Sequence, residues 1–364
     1  MKHYLKAAGL AFLLFMLLGL GSPAYRIRKP VDPVGFATKA WQMDSVMKRI
    51  QRLDGRKIAE AWTSAMVRPF TTWKLAVCPH DDYTYAGWLY PAVLANVRTN
   101  TVILIGVAHK AKKFRLENRM VFDSFDFWQS PYGPVRVSGL REKIMNKLPR
   151  STYVVHDSLQ QSEHSLEAII PFLQFYNRQV EIVPILIPFM SFETMNSLSM
   201  NLAIALGKLV SEGDINLGRD YSIVVSNDAV HYGCDDWGGA DYAFYGCDSN
   251  GFRLAVNHEH EIIRGCLEGE INGNKIQNFV KYTVQDTNFR SYRWTWCGRY
   301  SVPFGLLTLS KLESALRLTP SQGILLGYST SITQKPLPVT DLGMGSTAGA
   351  SIRHWVGYAA MGYR

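Results

Sequence analysis

His80, His109 and His231 share one setting: each follows an apolar run that reads as a buried strand. Leu75 to Cys78 leads to His80, with Pro79 between them breaking the ladder because it has no N–H to donate. The β-branched run Thr101 to Val107 leads to His109, and Tyr221 to Ser226 leads to Asp228 and His231. Ligands of open α/β sheets bind at the carboxyl ends of strands. One such histidine reads as a capped loop residue, whereas three at equivalent positions point to a shared site. Cys297 stands in a Trp296-Cys-Gly-Arg299 turn just before a helix, where Arg299 and the helix N-terminus favour a thiolate. Imidazole, thiolate and carboxylate are side chains that bind transition metals. Two other readings stay open for Cys297: a buried small hydrophobe, or a hydrolase nucleophile with His231 as base and Asp228 orienting it. No Gly-x-Ser-x-Gly elbow occurs, so a serine hydrolase has no support.

The elements that must position these residues alternate. Strands are expected at 73–78, 101–107, 180–187, 221–226, 323–329 and 351–363. Helices are expected at 39–58, 89–97, 140–148, 193–210, 254–270, 275–286 and 300–316. Another helix should open at Ser162, with Ser162 as its cap and Glu163 and His164 in its first turn, and run to about Tyr176. Residues 118–126 and 133–137 read as a hairpin-like excursion. Strands alternating with helices imply an α/β fold, a single domain whose largely parallel or mixed sheet is flanked by helices. The expected division is a signal peptide over 1–24, a linker and helical extension over 25–72, and the α/β domain over 73–364.

The leader rests on Lys2 and Lys6, an uncharged apolar run from Ala7 to Leu20, and the small residues Ser22 and Ala24. It implies export to a periplasmic or secreted location, with an uncleaved anchor as the lesser alternative. The rest of the chain has no run long enough to span a membrane. Losing Lys2 and Lys6 lowers the formal charge from +9 to +7. No nucleic-acid-binding motif accompanies that charge. Lys110, Lys112, Lys113 and Arg115 follow His109 and read either as a solvated loop or as a rim that attracts an anionic small molecule or peptide. An exported chain can form disulfides. Cys234 and Cys247 flank a Gly- and Asp-rich loop and could pair, and with five cysteines at least one thiol stays free or binds something.

Five segments together carry a resemblance. Pro79-His-Asp-Asp-Tyr-Thr-Tyr-Ala-Gly87, Gly106-Val-Ala-His109, Glu163-His-Ser-Leu-Glu167, Val225-Ser-Asn-Asp-Ala-Val-His-Tyr-Gly233 and Cys297-Gly-Arg299 resemble, in that order, the motifs of the Memo family. The resemblance implies a fold like that of the class III extradiol dioxygenases. It also implies a metal held by His80, His109 and Cys297, with His231 and Asp228 lining the same pocket. Two departures alter charge near that metal: Asp81-Asp82 replaces a small Ala-Gly pair, and Lys110 replaces the second member of a His-His pair. A site of two histidines and a cysteine suits iron or copper, with zinc also able to fit. The function expected is a non-haem metal oxidoreductase with His231 as acid or base. A metal- or peptide-binding protein without turnover is the alternative, and the cysteine hydrolase ranks last.

Overall fold

Four apolar strands lie side by side and parallel at the centre of the molecule: β1 (Leu75–Cys78), β2 (Thr101–Val107), β3 (Glu181–Ile187) and β4 (Tyr221–Ser226). Their order across the sheet is β3-β2-β4-β1. A computed structural model describes residues 25–68, 70–213, 215–235 and 241–364. The expected leader, residues 1–24, lies outside the described residues.

Strands covered on both faces need apolar side chains on both, which is why these four read as unbroken hydrophobic runs. Alternate residues serve opposite faces. Leu75 and Val77 pack with Ile103, Ile105, Ile223 and Val225 in one core, whereas Ala76 and Cys78 pack with Val102, Leu104 and Val224 in the other. Helix α1 (Ala40–Ser64) inserts Met43, Val46 and Ile50 into the second core. The Oε1 atom of Gln42 begins that helix by accepting the backbone N–H groups of Thr38 and Lys39 at 2.9 and 3.0 Å. Helices α2 (Phe192–Ser211) and α4 (Ser301–Ala315) cover the first core through Leu202, Leu206, Leu306 and Leu309, and α3 (Ser249–Ile262) adds Ala255 and Ile262.

Register brings the chemistry together. Cys78 is paired with Ser226, and Val225 with Ile105. The residues that follow these strands, including His80, His109 and Asp228, therefore leave one edge of the sheet as neighbours. Two long antiparallel strands complete it: β7 (His354–Tyr363) runs beside β1, and β6 (Gln322–Thr330) lies beyond. Because Met361 pairs with Val77, the start of β7 projects past the carboxyl end of β1. There the short strand β5 (His231–Gly233) pairs with it, His231 opposite Val356. The sheet is thus mixed but parallel around the site, and the fold is a single α/β domain.

Several local expectations differ from what the chain does. Ser162 ends a short helix, Asp157–Ser162, rather than starting one. That helix is capped by His156, whose Nδ1 accepts the Leu159 N–H at 3.1 Å. The next helix begins only at Ile170, because the Glu163 carboxylate takes the His164 and Ser165 N–H groups and so closes a turn instead. In the excursion, Phe127–Trp128 pairs with Val135–Val137, while Met120–Phe122 joins Tyr153–Val155. The segment read as a linker also supplies an edge strand, Ile27–Arg28. Arg28 is fully buried, ion-paired with Glu167 and 4.5 Å from the Trp128 ring. Cys234 and Cys247 form a disulfide, and Cys78, Cys266 and Cys297 are free and buried. Among the described residues no helix is long and apolar enough to cross a membrane.

Candidate metal centre

His80 leaves β1 directly after Pro79 and is almost wholly buried. Its Nδ1 lies 2.6 Å from the Ser226 hydroxyl. That hydroxyl donates its own proton to the Ser165 carbonyl at 2.7 Å, so it must accept from Nδ1–H. The network therefore assigns the tautomer and leaves Nε2 as a bare lone pair. Burial, then His109, His164 and His231, push the His80 imidazole well below its ordinary value, which keeps it neutral. Nε2 faces the Asp228 Oδ2 atom at 3.2 Å. Two acceptors in that position require a proton or a cation between them. Burial and the neighbouring Asp81 raise the Asp228 carboxyl well above the carboxylate range.

His109 follows β2 and is held by one carboxylate at two points. Glu163 Oε2 accepts its backbone N–H at 2.7 Å, and Oε1 accepts Nδ1–H at 2.8 Å. Its Nε2 is thereby aimed at the Cys297 sulfur, 2.7 Å away. Burial works to raise the Glu163 carboxyl, but His109 and the surrounding N–H donors outweigh it and bring it to about 2. Glu163 is a carboxylate at neutral pH, and its pinning of His109 has the form of a partner that orients a metal-ligating imidazole. His164 stacks on His109, with ring centroids 4.8 Å apart.

Cys297 is placed by backbone bonds to the end of β4. Its N–H donates to the Asp228 carbonyl at 3.0 Å, and the Gly298 N–H donates to Asn227 Oδ1 at 3.1 Å. The sulfur lies 3.6 Å from His80 Nε2. Both sulfur–nitrogen separations fall within the roughly 4 Å that two donors of one ion span. All three donor atoms lie within 4.8 Å of one another. Burial pushes the Cys297 thiol up, against the pull of His109. Arg299, expected to favour the thiolate, is turned elsewhere: it donates to the Arg290 carbonyl and lies 3.3 Å from the Tyr292 ring centroid. The cation-forming group beside the sulfur is His109.

His80 and His109 line one end of a cavity of about 330 Å³, with the Cys297 sulfur behind them. His231, Asp228 and His164 line it. Burial, then His109, lowers His231 to about 3, so it is neutral. Asp81, Asp82 and Asp32 contribute to the wall, together with Tyr85, His354 and Tyr358. Asp81 accepts the Tyr358 hydroxyl, and Asp82 Oδ2 accepts the Thr347 N–H at 2.6 Å, tying the loop after Gly345 to the cavity. Burial, then the Asp81 charge, raises Asp82 to about 7. The basic cluster is absent from the lining, where no lysine or arginine is found among the described residues. Lys110 instead donates to the Ser162 carbonyl at 2.7 Å.

The family model for the Memo-like protein matches residues 43–337, most of the chain. The chain belongs to the Memo-like family. A MEMO1 family protein of Pyrococcus horikoshii is 26% identical over 285 residues, covering 74% of this chain and 84% of the relative. One from Pyrococcus furiosus is 25% identical over 70% of this chain and 79% of its own length. One from Aquifex aeolicus is 33% identical over 44% of this chain, and the match spans about half of the relative, 54%. The Memo-like chain thus brings His80, His109 and Cys297 into one cluster, with Asp228 against His80 and His231 in the same cavity. Glu163 was expected only at the start of a helix beside His164, and no role was expected for Ser226 or Tyr358. For Glu163 a signal was present, since an acid beside His164 lies between the second and fourth motifs; for Ser226 and Tyr358 there was none.

Proposed function

We propose that this Memo-like protein holds one transition-metal ion on His80, His109 and Cys297 and acts as a non-haem metal oxidoreductase on a small molecule in the adjoining cavity. The observation that carries the reading is the convergence of three donor atoms within 4.8 Å, with each imidazole's other nitrogen already engaged. The residues fit a metal on chemical grounds as well, because two imidazole nitrogens and a cysteine sulfur are donor types that transition-metal ions take. Mixed imidazole and thiolate ligation suits iron or copper, and zinc is the third candidate. When bound, such an ion would supply redox chemistry or polarise a ligand oxygen.

The protein's own groups set the rest. Asp228, buried and biased toward its protonated form, can hold a proton beside the donor cluster. Neutral His231 can accept one from a ligand in the cavity. Asp32, Asp81 and Asp82 favour a ligand that offers hydrogen-bond donors or positive charge. The basic cluster then fits the solvated-loop reading better than the rim for an anionic ligand. The cysteine hydrolase is the weaker reading, because Asp228 engages His80 through both oxygens and the sulfur engages His109 and His80. The disulfide suits the exported location that we propose from the leader.

The test is metal analysis of protein purified from its native location, beside Cys297→Ser and His80→Ala. Each variant should lose most bound metal, because two remaining ligands rarely hold an ion against solvent. Full occupancy in both variants would place the metal elsewhere. Oxygen uptake with candidate phenols, thiols and amines separates an oxidoreductase from a binding protein without turnover.

A further inference from the structure

Glu259, on α3, is fully buried and reaches the back of the site without lining the cavity. Its Oε1 accepts the indole N–H of Trp294 at 2.6 Å and that of Trp296 at 2.5 Å. Its Oε2 accepts the backbone N–H of Val230 at 3.1 Å. The first oxygen therefore grips the segment that ends in Cys297, and the second grips the segment that ends in His231. Between them the two segments are already stitched together. The His231 N–H donates to the Thr295 carbonyl at 3.1 Å, the Thr295 hydroxyl donates to the His231 carbonyl at 2.5 Å, and Cys297 N–H meets the Asp228 carbonyl. Gly357 leaves room for the carboxylate, since a Cβ there would lie 3.0 Å from Oε2. A buried carboxylate without donors would be costly, so one that receives three N–H groups from two separate segments fixes both.

We propose that Glu259 is a positioning residue that ties the Cys297 turn to the His231 strand, so that the sulfur beside His80 and His109 and the His231 imidazole in the cavity are held as one unit. The proposal rests on the metal-centre reading for its consequence, but its geometry is independent of that reading. Glu259→Gln isolates the effect. The amide oxygen can take over the two indoles at Oε1, and its NH₂ then confronts the Val230 N–H, donor against donor. The link to Val230 breaks while the packing volume is kept.

The experiment uses the full chain and Co²⁺ alone as the probe, with the thiolate-to-cobalt absorption band as the readout. Glu259→Gln should bind Co²⁺ at least tenfold more weakly, with a weakened band. Glu313→Gln serves as the control. Glu313 is another buried carboxylate, accepting Ser321 and ion-paired with Lys74 at the opposite end of β1. It should leave the band unchanged. Wild-type affinity and band in Glu259→Gln, or an equal loss in Glu313→Gln, would overturn the proposal. If Glu259→Gln fails to fold, Trp296→Phe removes one donor and should give a smaller loss in the same direction; an unchanged affinity would count against the link. If the wild type shows no thiolate band, the metal reading fails. The alkylation rate of Cys297 by iodoacetamide, read by mass spectrometry, then decides about Glu259. It should rise several-fold in Glu259→Gln and not in Glu313→Gln, and equal rates would refute the positioning role.

Discussion

Replacing Glu163 by Gln should weaken metal binding without removing any ligand. The carboxylate receives four donors: Oε1 takes His109 Nδ1, the His164 N–H and the Ser165 N–H at 2.8, 3.0 and 3.1 Å, and Oε2 takes the His109 N–H at 2.7 Å. An amide has one acceptor oxygen. Placed at Oε1 it keeps three donors, and its NH₂ then meets the His109 N–H. Placed at Oε2 it keeps one donor and strands three, so the first orientation prevails. One buried donor loses its acceptor, at about 1–3 kcal/mol. The Nδ1–H bond also changes from charge-assisted to neutral, roughly halving its strength. The expected loss of stability is about 3 kcal/mol from these two effects. Metal affinity should fall about 10- to 100-fold, the usual consequence of losing the partner that orients a ligating imidazole. Urea unfolding with chelator measures the first quantity, and Co²⁺ titration of the folded variant measures the second. A folded Glu163→Gln protein whose affinity stays within twofold of wild type would refute the reasoning.

Gly298→Ala should disturb the Cys297 turn, because a Cβ there would lie 2.2 Å from Asn227 Oδ1 and the neighbour must move; a melting temperature and a Cys297 labelling rate both equal to wild type would contradict this. Reducing the Cys234–Cys247 bond, which closes a loop with a sequence separation of 13, should cost about 3 kcal/mol in the chain-entropy account; urea midpoints with and without reductant measure it, and the Cys234→Ser/Cys247→Ser variant should be indifferent to reductant. Burial raises Glu259 from an ordinary 4.5 to about 7, against the pull of its N–H donors. Its folded state therefore holds a proton that the unfolded chain releases earlier. The corresponding contribution is present below pH 4.5, falls as pH rises, and is gone above pH 7. It amounts to about 3 kcal/mol. The stability gap between wild type and Glu259→Gln should narrow by about that amount from pH 4.5 to pH 7, and a constant gap would show that Glu259 titrates normally.

Much of this protein was legible along the chain. Parallel strands buried on both faces need continuous apolar runs, so β1, β2, β3 and β4 announced themselves, and the histidines and Asp228 beyond three of them marked one edge of the sheet. The ordered motifs placed Cys297 with them, although more than two hundred residues separate it from His80. Other features depended on partners that no local pattern names. Ser162 looks like a helix cap until Glu163 captures the N–H groups that a helix would have used. Arg299 follows Cys297 by two residues, yet Tyr292 and the Arg290 carbonyl draw it from the sulfur. Lys110 adjoins His109, yet it turns to the Ser162 carbonyl, and the cavity wall is acidic instead, through Asp32, Asp81 and Asp82. Spacing along a strand or helix follows from a fixed backbone period, so it can be read from residue order. The direction in which a long or charged side chain is satisfied depends on which acceptors the fold brings within about 3 Å, and only the tertiary structure supplies those.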